Sequence, residues 1–490
     1  MLCACALVWL QGRRTRKMLG HLPQYPTLPF IGNAHQILGD GGHFFQMLID
    51  ITNIMEETDK PFLVWVGPQP VLVLKDLDDI KAVNTAYIDK PYYYKFGQPW
   101  VGYGLVTAPS SIWKKNIKKL AGTFTSNIVE GYQDLFNAQA ARLVEKLKTE
   151  GGEPFDVLDK YLAYTTLESI CQTALGVPVT EGGIVTARYY HAFNRTLESL
   201  VKRLKNIFYH IDFLYRFSTS HKEMQSSIAI LHNVANAIIK TRKKEREELR
   251  KNVDLRKETS DNGRTKFKTF LDILLDTNEV DHTLTEKQIM DEVNTIILGG
   301  QETAALTSSM ALLIIGSNPG IQEKLFAELK AIFGDSKRPM EKDDLQRMDY
   351  LDAVICETLR LYPPIPAVAR DADKDLQIKS CTIPKGVSCI ANIWAAGRSK
   401  KQWGSDADQF RPERWLSNGL STSNAAGLLA FSYGKRSCIG RRYAMSLLKT
   451  LLAYIIREFV VESEVEKVQF KIDVTLKPCG GNHIRVRQRD

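Results

Sequence analysis

The segment Phe431-Ser-Tyr-Gly434-Lys-Arg436-Ser-Cys438-Ile-Gly440 sets a cysteine between two glycines, two positions after an arginine and seven after a phenylalanine. It leads straight into an apolar, helix-periodic stretch from Tyr443 to Phe459. These residue types suit a thiolate presented from a tight loop, at the mouth of a helix, to a metal carried by a large flat ligand. Gly434 and Gly440 let the backbone take conformations closed to other residues and come close to such a ligand. A helix amino terminus favours the anionic sulfur over the thiol. Arg436 is placed to meet a carboxylate on the ligand. The competing reading of the loop alone is a buried structural cysteine in a glycine-containing turn.

The pattern Phe-x-x-Gly-x-Arg-x-Cys-x-Gly resembles the haem-binding loop of the cytochrome P-450 superfamily, the haem-thiolate monooxygenases. The resemblance implies a mainly α fold with a minor β region: a single large helical domain plus a small sheet domain. It also implies haem b (iron protoporphyrin IX), bound non-covalently, with the Cys438 thiolate as axial ligand and Phe431, Gly434, Arg436 and Gly440 around the cofactor.

A second constellation must face that metal. Thr285-Glu-Lys-Gln288 reads as a capping box opening an apolar-periodic helix that ends near Gly316-Ser-Asn-Pro319. In its middle lies Gly299-Gly300-Gln-Glu302-Thr303. An interior glycine costs about 1 kcal/mol in a helix, so two together need a reason: close backbone approach or a kink, or tight packing against a neighbouring helix. Glu302-Thr303 resembles the family's acid–alcohol pair, which delivers protons during oxygen activation. Glutamate in place of aspartate lengthens the acid by one methylene. At the position of Gly299, animal fatty-acid hydroxylases of the family often carry a glutamate esterified to the haem; glycine there implies a non-covalent haem.

Supporting positions follow from the same resemblance. Glu357 and Arg360, at i and i+3, can touch on one helix face, and alone they read as a surface ion pair. With Phe410-Arg-Pro-Glu-Arg414-Trp415 they resemble the family's buried Glu–Arg–Arg network, a structural role for Glu357, Arg360 and Arg414. Ala367, Val368 and Ala369 with Gly299 are expected to line the substrate pocket, and Arg370 to bind a haem propionate. Trp113 matches the family's Trp-x-x-x-Arg helix and is left to bind haem through its indole N–H, but Ile117 stands where the arginine is expected. Lys118 points about 100° away. Val474 to Ile484 resembles the final hairpin that enters the pocket. Gln322-Glu-Lys-Leu325 and Cys-Ile-Gly-Arg-Arg-Tyr-Ala-Met445 look most like the animal family-four clan, insect members in particular.

The elements that must position these residues are mainly helical. Residues 126–150, 157–177, 185–205, 222–248, 267–277 and 320–334 show apolar residues at three-and-four spacing. Phe62–Val66 and Val71–Leu74 read as two strands around a turn, and Lys251 to Thr265 as an exposed loop. No repeat or low-complexity linker divides the 490 residues. The expected division is a short apolar and basic segment at 1–20, a proline-rich hinge at 21–34, and a catalytic domain over 35–490. Met1 to Leu10 is half the length needed to cross a bilayer, and the basic residues after it favour an anchor with the rest of the chain in the cytoplasm.

Eight scattered cysteines with no Cys-x-x-Cys pair fit a reducing compartment rather than a zinc or disulfide framework. The net charge of +9 lies in runs such as Arg13-Arg14-Thr-Arg16-Lys17 and Arg242-Lys243-Lys244. A run of this kind is ordinarily a solvated face, and no nucleic-acid module accompanies it. An acidic electron donor or an anionic membrane surface would use it better. The expected function is a monooxygenase that inserts one oxygen atom from O2 into a lipophilic small molecule. It would act as a monomer on the endoplasmic reticulum membrane, facing the cytosol. NADPH-cytochrome reductase would supply electrons, with cytochrome b5 as a second donor. Two alternatives stay open: a haem-thiolate isomerase or dehydratase acting on peroxides without a reductase, and a non-enzymatic binder of haem or apolar ligands.

Overall fold

The computed structural model describes residues 12–177, 186–256, 268–281, 284–416 and 427–489. Met1 to Leu10 lie outside the described residues. The longer helices are α1 (Gly41–Thr58), α2 (Leu77–Ala86), α3 (Ser110–Leu120), α4 (Gln133–Leu147), α5 (Ala163–Thr173) and α6 (Ala187–Lys205). They continue with α7 (Thr219–Arg256), α8 (Phe270–Asp281), α9 (Glu286–Ser317), α10 (Pro319–Phe333), α11 (Asp349–Leu361) and α12 (Arg441–Glu458). The molecule is organised around α9. Its capping box forms as the sequence implies, with Gln288 N–H donating to Thr285 Oγ1 at 3.2 Å and Thr285 N–H to Gln288 Oε1 at 2.8 Å. Apolar residues lie all round it (Val293, Ile297, Ala305, Leu312 and Ile315 are buried), the mark of a helix enclosed by others. Helices α5, α7, α8, α10, α11 and α12 all pack against it. Pro319 starts α10 at a bend of 109° to α9, because proline fits the first turn of a new helix and not the interior of an old one. Among the described residues no single helix is long and apolar enough to cross a membrane.

Among the described residues the strands form four small sheets. β1 (Phe62–Val66) and β2 (Gln69–Leu74) pair antiparallel around Gly67-Pro68, with Phe62 opposite Val73. Two short strands join β2, so that the sheet order is β1-β2-β7-β4, where β4 is Ala367–Asp371 and β7 is Ser388–Asn392. β3 (Phe155–Asp156), β8 (Phe459–Ser463) and β11 (His483–Gln488) make a second sheet. β5 (Leu376–Gln377) pairs with β6 (Thr382–Ile383), and β9 (Gln469–Asp473) with β10 (Thr475–Gly480). The proline-rich segment lies along β1: Leu63 N–H donates to Pro23 O at 2.9 Å and Asn33 N–H to Trp65 O at 2.6 Å.

The element boundaries depart from the periodicity in three places. Residues 126–150 split at Gly131-Tyr132 into Ser126–Glu130 and α4, and residues 158–162 form a π-helical turn before α5. α7 runs on to Arg256 where a loop was expected; the remainder of that loop lies outside the described residues. Before that extension α7 is braced against α8 by charge. Arg242 grips Asp272 of α8 through two bonds of 2.8 and 2.6 Å, and Arg246 and Arg250 pair with Asp276 and Glu279. Arg242, read as part of a solvated basic face, is therefore spent inside the fold. Arg14 and Arg16 stay exposed, Arg14 pairing with Asp375 at 2.5 Å on the surface and Arg16 lying over the Trp65 ring at 4.4 Å.

Candidate active site

Cys438 sits in a loop closed by its own backbone. Its N–H donates to Phe431 O at 2.9 Å, and Ser437 N–H donates to Gly434 O at 3.1 Å. Gly434 has φ +78°, and a Cβ there would lie 2.3 Å from Asn84 O, so glycine is required twice over. Gly440 has an ordinary φ of −88° as the residue capping α12. Its expected backbone freedom is not used, and a Cβ there would meet Cys438 Sγ at 3.8 Å, an ordinary contact. The sulfur remains accessible although protein surrounds it. Burial pushes its thiol up, while the Gly440 N–H and the Arg441 charge draw it down. Phe431 lies under the Arg441 guanidinium at 5.4 Å.

Two arginines, Arg370 buried and Arg436 half-buried, converge beyond the loop. Arg436 crosses the Trp113 ring at 4.5 Å and donates to Leu105 O at 3.1 Å and Ala108 O at 2.7 Å. Arg370, carried inward by β4, donates to Ala369 O at 2.8 Å. The Nε of each is buried with no hydrogen-bond partner. Burial, with repulsion from Arg370, pushes Arg436 down to about 10, and burial also lowers Arg370. The loop that receives Arg436 is anchored to α9, where Asp291 accepts from Tyr103 N–H at 2.9 Å and Glu292 from Leu105 N–H and the Asn116 amide at 3.0 Å each. Burial pushes the Glu292 carboxyl up to about 7.

On α9 the two glycines divide the roles weighed for them. A Cβ on Gly300 would strike the Ile170 side chain at 2.7 Å, which is tight helix packing; a Cβ on Gly299 would meet nothing within 4 Å. Thr303 stands one turn on from Gly299 and donates to its carbonyl at 2.6 Å. Glu302 is buried and tied to the last hairpin: Lys477 Nζ lies 2.5 Å from its Oε1, and Thr475 Oγ1 donates to it at 3.3 Å. Lys477 also donates to Asn194 of α6 at 2.8 Å. Ala369 is buried on β4, with Ala367 and Val368 partly exposed beside it.

An accessible thiolate precursor, two cationic groups with unused donors and an open helix face form a donor set that fits haem: sulfur for the metal, guanidinium for its carboxylates. The family model for cytochrome P450 matches residues 23–483. The chain belongs to the cytochrome P450 family. Relatives include cytochrome P450 4V2 of Homo sapiens, 32% identical over 94% of this chain and 88% of the relative. Cytochrome P450 4g15 of Drosophila melanogaster is 29% identical over 96% of this chain and 93% of the relative, and cytochrome P450 4c21 of Blattella germanica is 30% identical over 96% and 95%. These are family-four members, insects among them, as the sequence resemblance implied. The protein is a haem-thiolate monooxygenase with the mainly α P450 fold. The family implies haem with cysteine thiolate ligation, a redox partner and a lipophilic substrate.

In this P450 the Glu357–Arg360–Arg414 cluster is buried, so it is no surface pair. Arg360 holds Glu357 through two 2.7 Å bonds, and Arg414 Nε reaches it at 3.3 Å. Sequence reasoning missed two of its members: Trp415 Nε1 donates to Glu357 at 2.8 Å and Arg411 N–H at 2.9 Å. It also missed Lys477 and Asn194 behind Glu302.

Proposed function

We propose that Cys438 supplies the thiolate, that Arg370 and Arg436 take the haem carboxylates, and that the Gly299–Thr303 face of α9 bounds the reaction space. The observation that carries this is the accessible Cys438 sulfur in a loop whose Arg436, with Arg370, keeps a buried donor unpaired. When bound, haem supplies oxygen activation and insertion into an unactivated C–H bond. The chain's own residues orient, exclude water and move protons. Thr303 Oγ1, with its proton on Gly299 O, presents lone pairs to a water. Glu302, a carboxylate held by Lys477 and Thr475, would feed the relay behind it by taking a proton from the Lys477 side and passing it on. Ala367, Val368, Ala369 and Gly299 offer apolar or open surface to a lipophilic substrate.

The test measures oxygenated product and NADPH consumed, with reductase, for wild type, Thr303→Ala and Lys477→Met. Product per NADPH is expected to fall about tenfold or more in both variants while NADPH oxidation continues, since a positioned proton donor contributes at least that much. Unchanged coupling in both would remove Glu302 and Thr303 from the reaction. Product formed without NADPH and reductase would overturn the monooxygenase reading.

Electrons come, on this proposal, from NADPH-cytochrome reductase, with cytochrome b5 as a second donor, to the protein acting as a monomer. Exposed Lys435, Arg441 and Arg442 around the cysteine loop offer these acidic partners a cationic face. The protein works on the endoplasmic reticulum membrane, with residues 1–20 as anchor, 21–34 as hinge and 35–490 as the cytosolic catalytic domain. An apolar surface supports this. Phe30 is 68% exposed, Phe213 69% and Phe217 71%, with Phe208 and Ile211 also exposed. Across Gly67 the two segments come together, a Cβ there meeting Ile207 at 3.1 Å and Phe30 O at 3.7 Å. Exposed apolar side chains clustered in this way mark an interaction surface. Phe213→Ser/Phe217→Ser protein should float less with phospholipid vesicles than wild type; equal flotation would discard this surface.

A further inference from the structure

The departure at Ile117 leaves the question of what replaces the missing arginine. The N–H of Asp371, at the end of β4, donates to Asp89 O at 2.9 Å, so Asp89-Lys90 runs beside the strand that carries Arg370. Tyr94 fastens the same segment, its hydroxyl accepting from Ala369 N–H at 3.3 Å. Lys90 Nζ lies 4.7 Å from the Tyr94 ring centre and donates to Val106 O at 2.5 Å. Val106 stands between Leu105 and Ala108, the residues whose carbonyls receive Arg436. Three cations from three segments thus share one small, largely desolvated region.

Among the described residues none of the three forms a salt bridge. Asp89, beside Lys90, spends its carboxylate on Ser110 N–H and Oγ at 2.8 and 3.0 Å, at the start of α3. Burial, then repulsion from Arg370 and Arg436, holds Lys90 well below the usual lysine range. Clustered buried cations are costly unless a negative ligand compensates them. A ligand bearing two carboxylates matches this cluster, and the buried Nε atoms of Arg370 and Arg436 are donors ready for it.

We propose that Lys90 is the third cation of the haem carboxylate seat, doing from the segment before α3 what an arginine at position 117 would do from α3 itself. The inference rests on haem binding at Cys438 as proposed above.

The test uses the purified holoprotein of wild type, Lys90→Met, Lys90→Arg and a surface control, Lys222→Met. Two quantities are read: the rate of haem loss to excess apomyoglobin and the reduction potential of the bound haem. Lys90→Met is expected to lose haem about tenfold faster, the worth of one charge-assisted hydrogen bond. Its potential should become more negative, because a positive charge near the metal is gone. Lys90→Arg and Lys222→Met should stay near wild type. If Lys90→Met does not yield folded holoprotein, Lys90→Gln takes its place. Wild-type rates and potential in the neutral variant would overturn the proposal. So would equal losses in Lys90→Met and Lys90→Arg, which would show only that the lysine props the Val106 loop. Wild-type protein without a thiolate-ligated haem spectrum would instead sink the haem reading at Cys438, and this inference with it.

Discussion

Cys438→Ala protein is expected to fold, and its dithionite-reduced, carbon monoxide-treated form to lack the strongly red-shifted Soret band that marks thiolate-ligated haem. Wild type should show that band. The fold should survive because the loop is closed by main-chain bonds, Cys438 N–H to Phe431 O and Ser437 N–H to Gly434 O, which alanine keeps. The sulfur lies open rather than packed, so truncation leaves no core cavity. Among the described residues the buried thiols are not poised to take over. Cys171, Cys356 and Cys389 are buried; burial pushes Cys171 up to about 12 and raises Cys356 and Cys389 as well. At neutral pH such thiols keep their proton and are poor metal ligands. Burial raises Cys438 too, but this cysteine is accessible, and a backbone N–H and an arginine offset part of that rise. Cys171→Ala serves as the control and should retain the band. A red-shifted band persisting in Cys438→Ala, or a wild-type band at the ordinary histidine-ligated position, would remove the thiolate from this loop.

What the sequence revealed was local. The cysteine loop, the Thr285–Gln288 cap and the Gly299-Gly300 pair each lie within a few residues, where backbone geometry ties type to role. The glycine pair shows the limit. Its spacing announces a special position, but only the neighbours Ile170 and open space tell packing from access. Gly440 carries the same lesson: its φ of −88° and its surroundings would both admit a side chain, so the residue type alone did not reveal its conformation. Partners far apart along the chain were invisible. Lys477 reaches Glu302 across 175 positions, and Trp415 reaches Glu357 across 58. No period links such pairs, and a lysine in a strand reads as surface until the sheet turns it inward. Charge runs failed for a related reason: Arg242 looked solvated until α8 supplied Asp272.

The largest stability effect is expected at Glu357. Its carboxylate accepts from Arg360 Nε and Nη2, Arg414 Nε, Trp415 Nε1 and the Arg411 N–H, all within 3.3 Å. The two guanidinium groups then reach outward to main-chain carbonyls. Arg360 holds Gly397, Ala407 at 2.6 Å and Gln409 at 3.1 Å; Arg414 holds Trp403 at 2.8 Å and Asp406 at 2.6 Å. Glu357 is thus the anion shared by both guanidinium groups, and the Asp406 carboxylate gives Arg414 a second partner at 2.8 Å. Glu357→Ala leaves the buried Arg360 guanidinium without its carboxylate, Arg414 with Asp406 alone, and an indole N–H without an acceptor. Breaking a buried pair on one side costs about 3–5 kcal/mol, a large share of the roughly 5–15 kcal/mol that holds a protein folded. The expected result is little soluble holoprotein, or a midpoint lowered by several degrees with reduced haem content. Glu357→Gln, nearly isosteric, should lose almost as much, because the amide removes the charge and turns an N–H toward the donors. Lys324→Met separates this from charge loss in general: Lys324 pairs with Glu413 at 2.7 Å on an exposed surface, and its loss should cost under about 1 kcal/mol. Glu357→Gln protein as stable as Lys324→Met would show that packing and main-chain bonds hold this region without the ion network.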